Sequence, residues 1–486
     1  MGKLAAGVAG LGLIGGAGTV VYNNHGDARG QAAIFGRRRR KELCAALAGA
    51  VATATAVVGV AFARPDAVSG GSDTARGVGR MSHTVDIAGA LAVARGGKLV
   101  VAGLSRRGSP VRMALARYAA SGKLDPSFGA GGRALTDFGS QNDDWAWAVA
   151  VQADGKVVAA GAMHPKNGLT RFALARYTAR GRLDPSFGRN GKVLTRFGSG
   201  AQAQAVALQG DGKIVAAGIG GRNFALARYT PRGRLDPSFG TGGKVLTSFG
   251  PRSGVFAEGI AIQKDGKLVV VGTISAGGHD EFAVARYTAK GRLDLSFGRR
   301  GWVVTKVGEY GGAAAVVVQP DGKIVVAGSA VAGSGEGGMA LVRYAPDGKL
   351  DPSFAKGGEL LASGVPWADL ALQRDGKFVT AGTGSRPQSS REDPREFALA
   401  RCTTDGILDS SFGRGGKLLT DFHKGAGAVA LAVQGDEKIV AAGTVGGVDF
   451  ALTRYSSSGR LDGSFGTGGK VVTDFGPLWP TPRLSR

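Results

Sequence analysis

The residues of this chain that could bind or transform a ligand are few, and two clusters stand out. Asp143-Asp144-Trp145 with Trp147 forms the first cluster, and His279-Asp280-Glu281 forms the second. A tryptophan beside two carboxylates can stack on a sugar ring or hold a cation, whereas a tryptophan on an innermost strand can also be packing. We predict the following ligand-binding residues: Asp143, Asp144, Trp145, Trp147, His164, His279, Asp280, Glu281, Glu309 and Tyr310.

No catalytic residue is predicted, because the sequence lacks the motifs that known chemistries need. There is no G-x-S-x-G, H-E-x-x-H, P-loop or dinucleotide-binding fingerprint. The histidines lie in different segments, and no two of them have the spacing of metal ligands. We expect no metal and no cofactor.

The candidate residues interrupt a repeated frame that must position them. The octapeptide Gly181–Gly188 (GRLDPSFG) belongs to a set of seven copies, whose aspartates are 52 to 59 residues apart. A period of this size indicates a repeat architecture in which each unit packs on its neighbours.

Each unit contains four short apolar runs separated by turn residues. In the second unit they are Trp145–Gln152, Val157–Ala160, Phe172–Tyr177 and Lys192–Phe197. Runs of this length, broken by Gly, Asp, Pro and Asn, favour strands, and Asp-Gly between the first two is a hairpin signal. The second run is apolar throughout, which indicates burial on both faces. Seven such units predict an all-β, seven-bladed β-propeller of four-stranded antiparallel blades, with a linear β-solenoid as the alternative.

The third strand of every unit carries an arginine, and an aspartate follows eight residues later. A guanidinium on a packed face needs a partner, because an unpaired buried charge is costly. The phenylalanine of the same turn should insert between blades. Calcium binding by the aspartates is the alternative, although one carboxylate per unit falls short of six to eight oxygen ligands. The predicted structural pairs are Arg117 with Asp125, Arg176 with Asp184, Arg228 with Asp236, Arg286 with Asp294, Arg343 with Asp351, Arg401 with Asp409 and Arg454 with Asp462.

Four recurring motifs carry a resemblance to a known family. Leu-Asp-Pro-Ser-Phe-Gly, Gly-Lys-Val-Leu-Thr-x-Phe-Gly, Asp-Gly-Lys-Ile-Val and Phe-Ala-Leu-Ala-Arg-Tyr recur in fixed order and resemble the delta-60 repeat family over about residues 87–476. The resemblance implies a propeller-like, exported bacterial protein, and it brings no agreed activity or catalytic residues. The chain departs from the pattern at Ala355, at Ala362 and at Cys402, which replaces a repeated tyrosine.

Strand direction sorts the turns onto two faces of the predicted propeller. The first face carries the repeated turns after the first and third strands, and the second face carries the loops that differ between units. We expect the ligand site on the second face. Bases and repeated aspartates alternate on the first face, so we expect it to be mixed in charge, which argues against nucleic-acid binding.

The first 63 residues have the features of a targeting segment. Arg37–Lys41 is basic, Leu43–Ala63 is an uncharged run of 21 residues, and Ala61-Phe62-Ala63 is a cleavage pattern. Because the run is long enough to span a bilayer, residues 1–63 are a signal peptide or a membrane anchor, and the late position of the signal points to a translation start downstream of Met1. We expect residues 64–86 to be a flexible linker, 87–476 the propeller and 477–486 a C-terminal tail.

The net charge of +24 favours an acidic partner. These features predict a secreted or cell-surface monomer, which contacts a membrane only through its N-terminal segment if that segment is retained. We expect a non-enzymatic scaffold that binds a protein, a glycan or an acidic surface polymer through its second face. The alternative is an extracellular lyase or hydrolase with a site at the mouth of the central channel.

Overall fold

The computed structural model describes residues 85–476 apart from 107–109, 140–141, 251–252, 277, 332–336, 366–367 and 386–394, together with two short paired strands, β1 (Ala52–Thr53) and β2 (Ala56–Val57). Apart from β1 and β2, the predicted signal or anchor segment lies outside the described residues, as do the C-terminal tail and the linker up to residue 84. The described residues include no helix with the length and apolar character needed to cross a membrane.

Residues 85–476 form seven four-stranded antiparallel sheets, here called blades 1 to 7 in chain order. Blade 1 comprises β3 (Val85–Val93), β4 (Leu99–Arg106), β5 (Arg112–Tyr118) and β6 (Arg133–Thr136), with a 3₁₀ turn, η1 (Arg95–Gly97), between β3 and β4. Blade 2 comprises β7 (Asp143–Val151), β8 (Val157–His164), β9 (Arg171–Tyr177) and β10 (Lys192–Thr195). Blade 3 comprises β11 (Ala201–Leu208), β12 (Ile214–Gly220), β13 (Asn223–Tyr229) and β14 (Lys244–Thr247).

The remaining blades repeat this order. Blade 4 comprises β15 (Gly254–Ile262), β16 (Leu268–Ala276), β17 (His279–Tyr287) and β18 (Trp302–Thr305). Blade 5 comprises β19 (Tyr310–Val318), β20 (Ile324–Val331), β21 (Gly337–Tyr344) and β22 (Glu359–Ser363). Blade 6 comprises β23 (Asp369–Leu372), β24 (Phe378–Ser385), β25 (Arg395–Cys402) and β26 (Lys417–Thr420). Blade 7 comprises β27 (Ala426–Val433), β28 (Ile439–Val445), β29 (Asp449–Tyr455) and β30 (Lys470–Thr473).

The blades close into a ring, which confirms the seven-bladed propeller and shows that the linear solenoid is wrong. The first strand of blade 7 packs on the first strand of blade 1. Across this junction the Asp86 amide donates to the Val448 carbonyl at 2.7 Å, and the Gly466 amide donates to the Ser121 carbonyl at 2.8 Å. Because no blade mixes strands from the two ends of the chain, ring closure depends on contacts between neighbouring blades rather than on a shared sheet.

The second strand of each blade is longer than its apolar run predicts. In blade 2 it continues past Gly161 to His164, and its pairing with β9 extends to Met163. Gly161 lies opposite a bulge in β7, and a Cβ there would fall 1.9 Å from the Trp145 carbonyl oxygen. The strand can continue through this position because glycine allows the two paired strands to approach closely there.

A buried arginine ties the parts of each blade together. In blade 3, Arg228 Nε donates to Asp236 Oδ2 at 2.9 Å, Nη2 donates to Ser238 Oγ at 2.9 Å, and the guanidinium lies 4.6 Å from the centre of the Phe239 ring. The Asp236 carboxylate also accepts from the Ser238 amide and hydroxyl. Each of the seven predicted pairs has its Arg Nε within 2.9 Å of the Asp Oδ2.

The same arginines join each blade to the next one. Arg228 Nη1 donates to the Ala289 carbonyl of blade 4, and Arg454 of blade 7 donates to the Ala120 carbonyl of blade 1. The acceptors of all seven arginines are the carbonyls of Ala179, Pro231, Ala289, Pro346, Thr404, Ser457 and Ala120. We call this unit of arginine, aspartate, serine and phenylalanine the latch.

A second contact repeats at six of the seven junctions between blades. The tyrosine that ends the third strand of one blade bonds the threonine that ends the fourth strand of the preceding blade, as Tyr344 does with Thr305 at 2.8 Å. The seventh junction, between blades 5 and 6, has Cys402 and Ala362 at these positions, and both belong to its apolar cluster. Cys402 and Ala362, which depart from the repeat in the sequence, therefore replace the two partners of a single hydrogen bond at this junction.

We expect Arg228→Ala to lower the free energy of unfolding by about 3 kcal/mol, since it leaves Asp236 buried without its main partner and removes a bond between blades. The measurement is urea denaturation of the full chain. Arg234→Ala, on the same turn but exposed, is the matched control and should change the free energy by less than about 0.5 kcal/mol. Equal shifts in the two variants would contradict a structural role for the latch.

Candidate functional site

The first predicted cluster lies where β7 and β8 meet the second face. Asp143 and His164 are opposite each other across these strands. The half-buried Trp145 ring lies with its centre 4.9 Å from that of His164 and 4.9 Å from that of Trp147. Asp143 Oδ1 accepts the Val111 amide of blade 1 at 2.9 Å, which fixes the carboxylate beside the ring pair.

Two members of this cluster lie in the interior. Asp144 is 0% exposed, and its Oδ2 accepts the Phe138 amide at 2.6 Å. Burial raises the pKa of Asp144 to about 7. Trp147 is 2% exposed and belongs to the apolar cluster between blades 1 and 2. Only Asp143, Trp145 and His164 therefore reach the rim of the second face, and we call these three the Trp145 platform.

The second predicted cluster lies between blades 4 and 5. His279, Asp280 and Glu281 begin β17, and Asp280 accepts the Ser275 hydroxyl of the neighbouring strand. The His279 ring lies 5.8 Å from the Tyr310 ring, which begins the first strand of blade 5. Glu309 is exposed immediately before it. Blade 3 separates this cluster from the Trp145 platform, so the acids that a catalytic site would require are not brought together.

Glu258 is a buried glutamate that the sequence pattern did not indicate. Glu258 occupies the bulge of β15, and its Oε2 has no hydrogen-bond partner among the described residues. Burial and then the charge of Asp280 raise its pKa well above the ordinary value. The position is equivalent to that of Trp147 in blade 2. Because the residue at this position differs between repeats, the sequence pattern does not indicate that a carboxyl group is buried there.

Three aspartates meet at the junction between blades 7 and 1. One carboxylate oxygen from each of Asp86, Asp449 and Asp474 lies within 4.8 Å of the others. The equivalent positions between blades 1 and 2 hold Asp144, Asp137 and, in place of Asp449, Arg112. Three carboxylates fall short of the six to eight oxygens that calcium takes, so the cluster by itself defines no metal site. The repeated latch aspartates are engaged by arginine and serine and are not arranged around a cation.

Two cavities of the described residues lie away from the predicted residues. A groove of about 1030 Å³ runs along β30 and is lined by Lys123, Arg133, His423 and Lys470 among others. A smaller cavity of about 310 Å³ lies between the first-face turns of blades 4 and 5, beside Lys264. Neither of these cavities is lined by a residue of the Trp145 platform.

The fold and its repeated latch define a β-propeller built from sequence repeats. Seven segments match the family described as a domain of unknown function (DUF5122) beta-propeller, and the chain belongs to this propeller-repeat family. Every matched segment ends at the latch phenylalanine. The segments are 97–128, 152–187, 209–239, 263–297, 319–354, 373–412 and 434–465.

Other comparisons add no functional information. No curated protein matches the sequence. The chain is similar to a solved protein of unknown function from Bacteroides caccae (12% identity, TM-score 0.37, covering 64% of this chain and 97% of that one). It is also similar to polysaccharide lyase Uly1 (10%, 0.41, 88% and 96%) and to BP39L lectin from Burkholderia pseudomallei (12%, 0.32, 80% and 96%). Similarities at this level carry no argument about activity.

The buried aspartates at two junctions predict a pH dependence of stability. Burial raises the pKa of Asp86 to about 6 and that of Asp144 to about 7, so the folded state favours their protonated forms. Their contribution is complete below pH 4 and is lost as the pH rises through 6 and 7. Hydrogen bonds from Ser296 and the charge of Arg286 outweigh burial and hold the pKa of Asp294 at about 2, so this latch aspartate stays ionised throughout that range.

Between pH 5 and pH 8 we expect the melting temperature of the native protein to fall by roughly 2–5 °C relative to Asp86→Asn/Asp144→Asn, whose amides still accept the same backbone bonds. Differential scanning calorimetry measures the difference. Parallel pH profiles for the two proteins would show that neither carboxyl is held protonated.

Proposed function

We propose that this chain is an exported, non-catalytic bacterial propeller of the delta-60 repeat type that binds a glycan through its second face. The Trp145 platform carries the proposal. A half-buried indole packed against His164, with the Asp143 carboxylate fixed beside it, offers a flat apolar surface next to a hydrogen-bond acceptor. That combination suits the apolar face and the hydroxyl groups of a sugar ring.

The difference between the two faces supports the proposal that the protein is a binding scaffold. On the first face the repeated turns supply the latch, so their arginine, aspartate, serine and phenylalanine cannot be replaced without loss of contacts that hold the blades together. Loops on the second face do not contain the latch, and they carry the residues that differ between blades. The His279 and Tyr310 pair is a second aromatic surface on this face, and it could bind another residue of an extended glycan.

A non-catalytic role fits the state of the acids better than a lyase or hydrolase does. Asp144 has a raised pKa, as a general acid would, but it is buried and holds the Phe138 amide. Asp280 accepts a bond from Ser275, and it lies on a different blade from Asp143. A hydrolytic pair of carboxyl groups must flank one bond of the substrate.

We expect Trp145→Ala to weaken glycan binding by about 1.5 kcal/mol, roughly tenfold, because the stacking surface is removed. A glycan array probed with the full chain identifies the ligand, and calorimetric titration compares the variants. Trp145→Phe keeps a ring and should recover most of the affinity. The proposal fails if no glycan binds, or if Trp145→Ala binds as tightly as the native protein.

Export is a separate part of the proposal, and it rests on the basic, apolar and small-residue order of residues 37–63. Expression in a bacterial host, followed by fractionation and N-terminal sequencing, should yield a mature protein outside the cytoplasm that begins at Arg64. A membrane-bound product of full length would support the anchor instead. Soluble full-length protein in the cytoplasm would rule out export.

A further inference from the structure

The charge of the first face is unevenly distributed around the ring. Counting the turns after the first and third strands together with the latch arginine, blades 2 to 4 hold sixteen bases and six acids, and blade 1 holds four bases and one acid, whereas blades 5 to 7 hold eleven bases and nine acids. Bases therefore exceed acids clearly in blades 1 to 4, contrary to the expectation of a mixed face, and the two are nearly balanced in blades 5 to 7. A net excess of ten positive charges lies over three consecutive blades.

All six acids on blades 2 to 4 are already paired with bases of the repeated frame. Asp211 pairs with Lys213 at 2.8 Å, and the buried Asp236 pairs with Arg228. Blades 2 and 4 repeat this arrangement. Because these aspartates are committed to turns and latches, they do not neutralise the other bases of the face.

The uncommitted bases occur at equivalent positions of successive turns. The repeated octapeptide opens with Gly181, Gly233 and Gly291 in blades 2 to 4. The residue before this glycine is Arg180, Arg232 and Lys290, and the residue after it is Arg182, Arg234 and Arg292. All six side chains are exposed, and none forms an ion pair within the described part of the chain. We call these six residues the basic arc.

At the first of these two positions, the rest of the ring shows that the frame does not require a charge. At the position of Arg180 the other blades have Ser121, Asp347, Asp405 and Ser458. What the fold uses at this position is the backbone, since the Arg180 carbonyl accepts the Gly129 amide at 2.8 Å and the Asp347 carbonyl accepts the Gly298 amide at 2.7 Å. The side chains of Arg180, Arg232 and Lys290 are thus free for a function other than folding, whereas the second position is basic in blades 1, 5 and 7 as well.

We propose that the basic arc is a docking surface for a linear polymer of phosphate groups, separate from the glycan platform on the opposite face. Five of the six residues are arginines, whose planar forks match phosphate oxygens in pairs. Successive turns present them along a curve, which suits a flexible chain of repeated anions. The aromatic residues of these turns are the latch phenylalanines, which are buried, so no surface for stacking nucleic-acid bases accompanies the charge.

The test compares two triple variants of the full chain that remove the same number of positive charges. Arg180→Ser/Arg232→Ser/Lys290→Ser alters the basic arc and introduces the residue that blades 1 and 7 already carry at this position. Arg196→Ser/Arg222→Ser/Lys306→Ser alters three exposed bases on the second face. Circular dichroism and melting temperature establish that both variants are folded.

Binding of inorganic polyphosphate is then measured as a function of salt concentration. For the native protein we expect affinity to fall steeply with salt, as condensed counterions are released. The basic-arc variant should lose roughly tenfold or more in affinity and about three in the slope of log K against log salt, while the second-face variant changes less than about twofold. Poly-L-glutamate should bind more weakly than polyphosphate at equal charge concentration.

Several outcomes would overturn the proposal. Equal losses in the two variants would show a response to net charge alone, and no loss in either would show that the arc is not the surface. Tighter binding of single-stranded DNA than of polyphosphate would indicate recognition of bases. Binding only to vesicles of anionic lipid would indicate a membrane surface.

Discussion

The structure depends on a buried positive charge that must be paired. Each blade buries a guanidinium whose desolvation is offset only if nearly all of its donors are used. The aspartate and serine of its own blade take two groups of donors, and a carbonyl of the next blade takes the third. One arginine therefore fixes the turn of one blade, the position of the phenylalanine beneath it and the distance to the neighbouring blade. Seven copies of that constraint leave a closed ring as the arrangement in which every arginine is satisfied.

This constraint explains why the two faces differ. The first face is built from turns that contain the latch, so the latch residues repeat and the latch aspartates are paired. The second face is linked by loops that join neighbouring blades through individual contacts that the latch does not supply, such as the bond from the Val111 amide to Asp143. Aromatic and ionisable side chains lie there. Where the frame itself changes, it changes in a correlated way: Cys402 and Ala362 replace a tyrosine and a threonine that would have bonded each other, so neither buries an unpaired hydroxyl.

The candidate site shows which of its residues a local sequence pattern can identify. Asp143, Trp145 and His164 were identifiable because they lie in loops and strand ends that break the repeat. Asp144 and Trp147 were grouped with them, yet they lie in the interior, because a neighbouring blade covers one side of β7 and a bulge re-aims Trp147. The approach of His279 to Tyr310 joins two blades and has no local signal. Glu258 was missed for a similar reason, since burial at a bulge depends on the strands packed around it.

By itself the sequence determined the number of blades, the four strands of each, the pairing of arginine with aspartate and the face that varies. These features follow from patterns within one repeat, where turn chemistry and alternation act over a few residues. Only the tertiary structure decided that the ring closes between blades 7 and 1, that each arginine reaches into the next blade, and which charges of the first face remain unpaired. These features depend on atoms brought together from different repeats. The repeated sequence shows that each blade has a buried arginine that must be paired, but it does not show which residue of a neighbouring blade provides the partner.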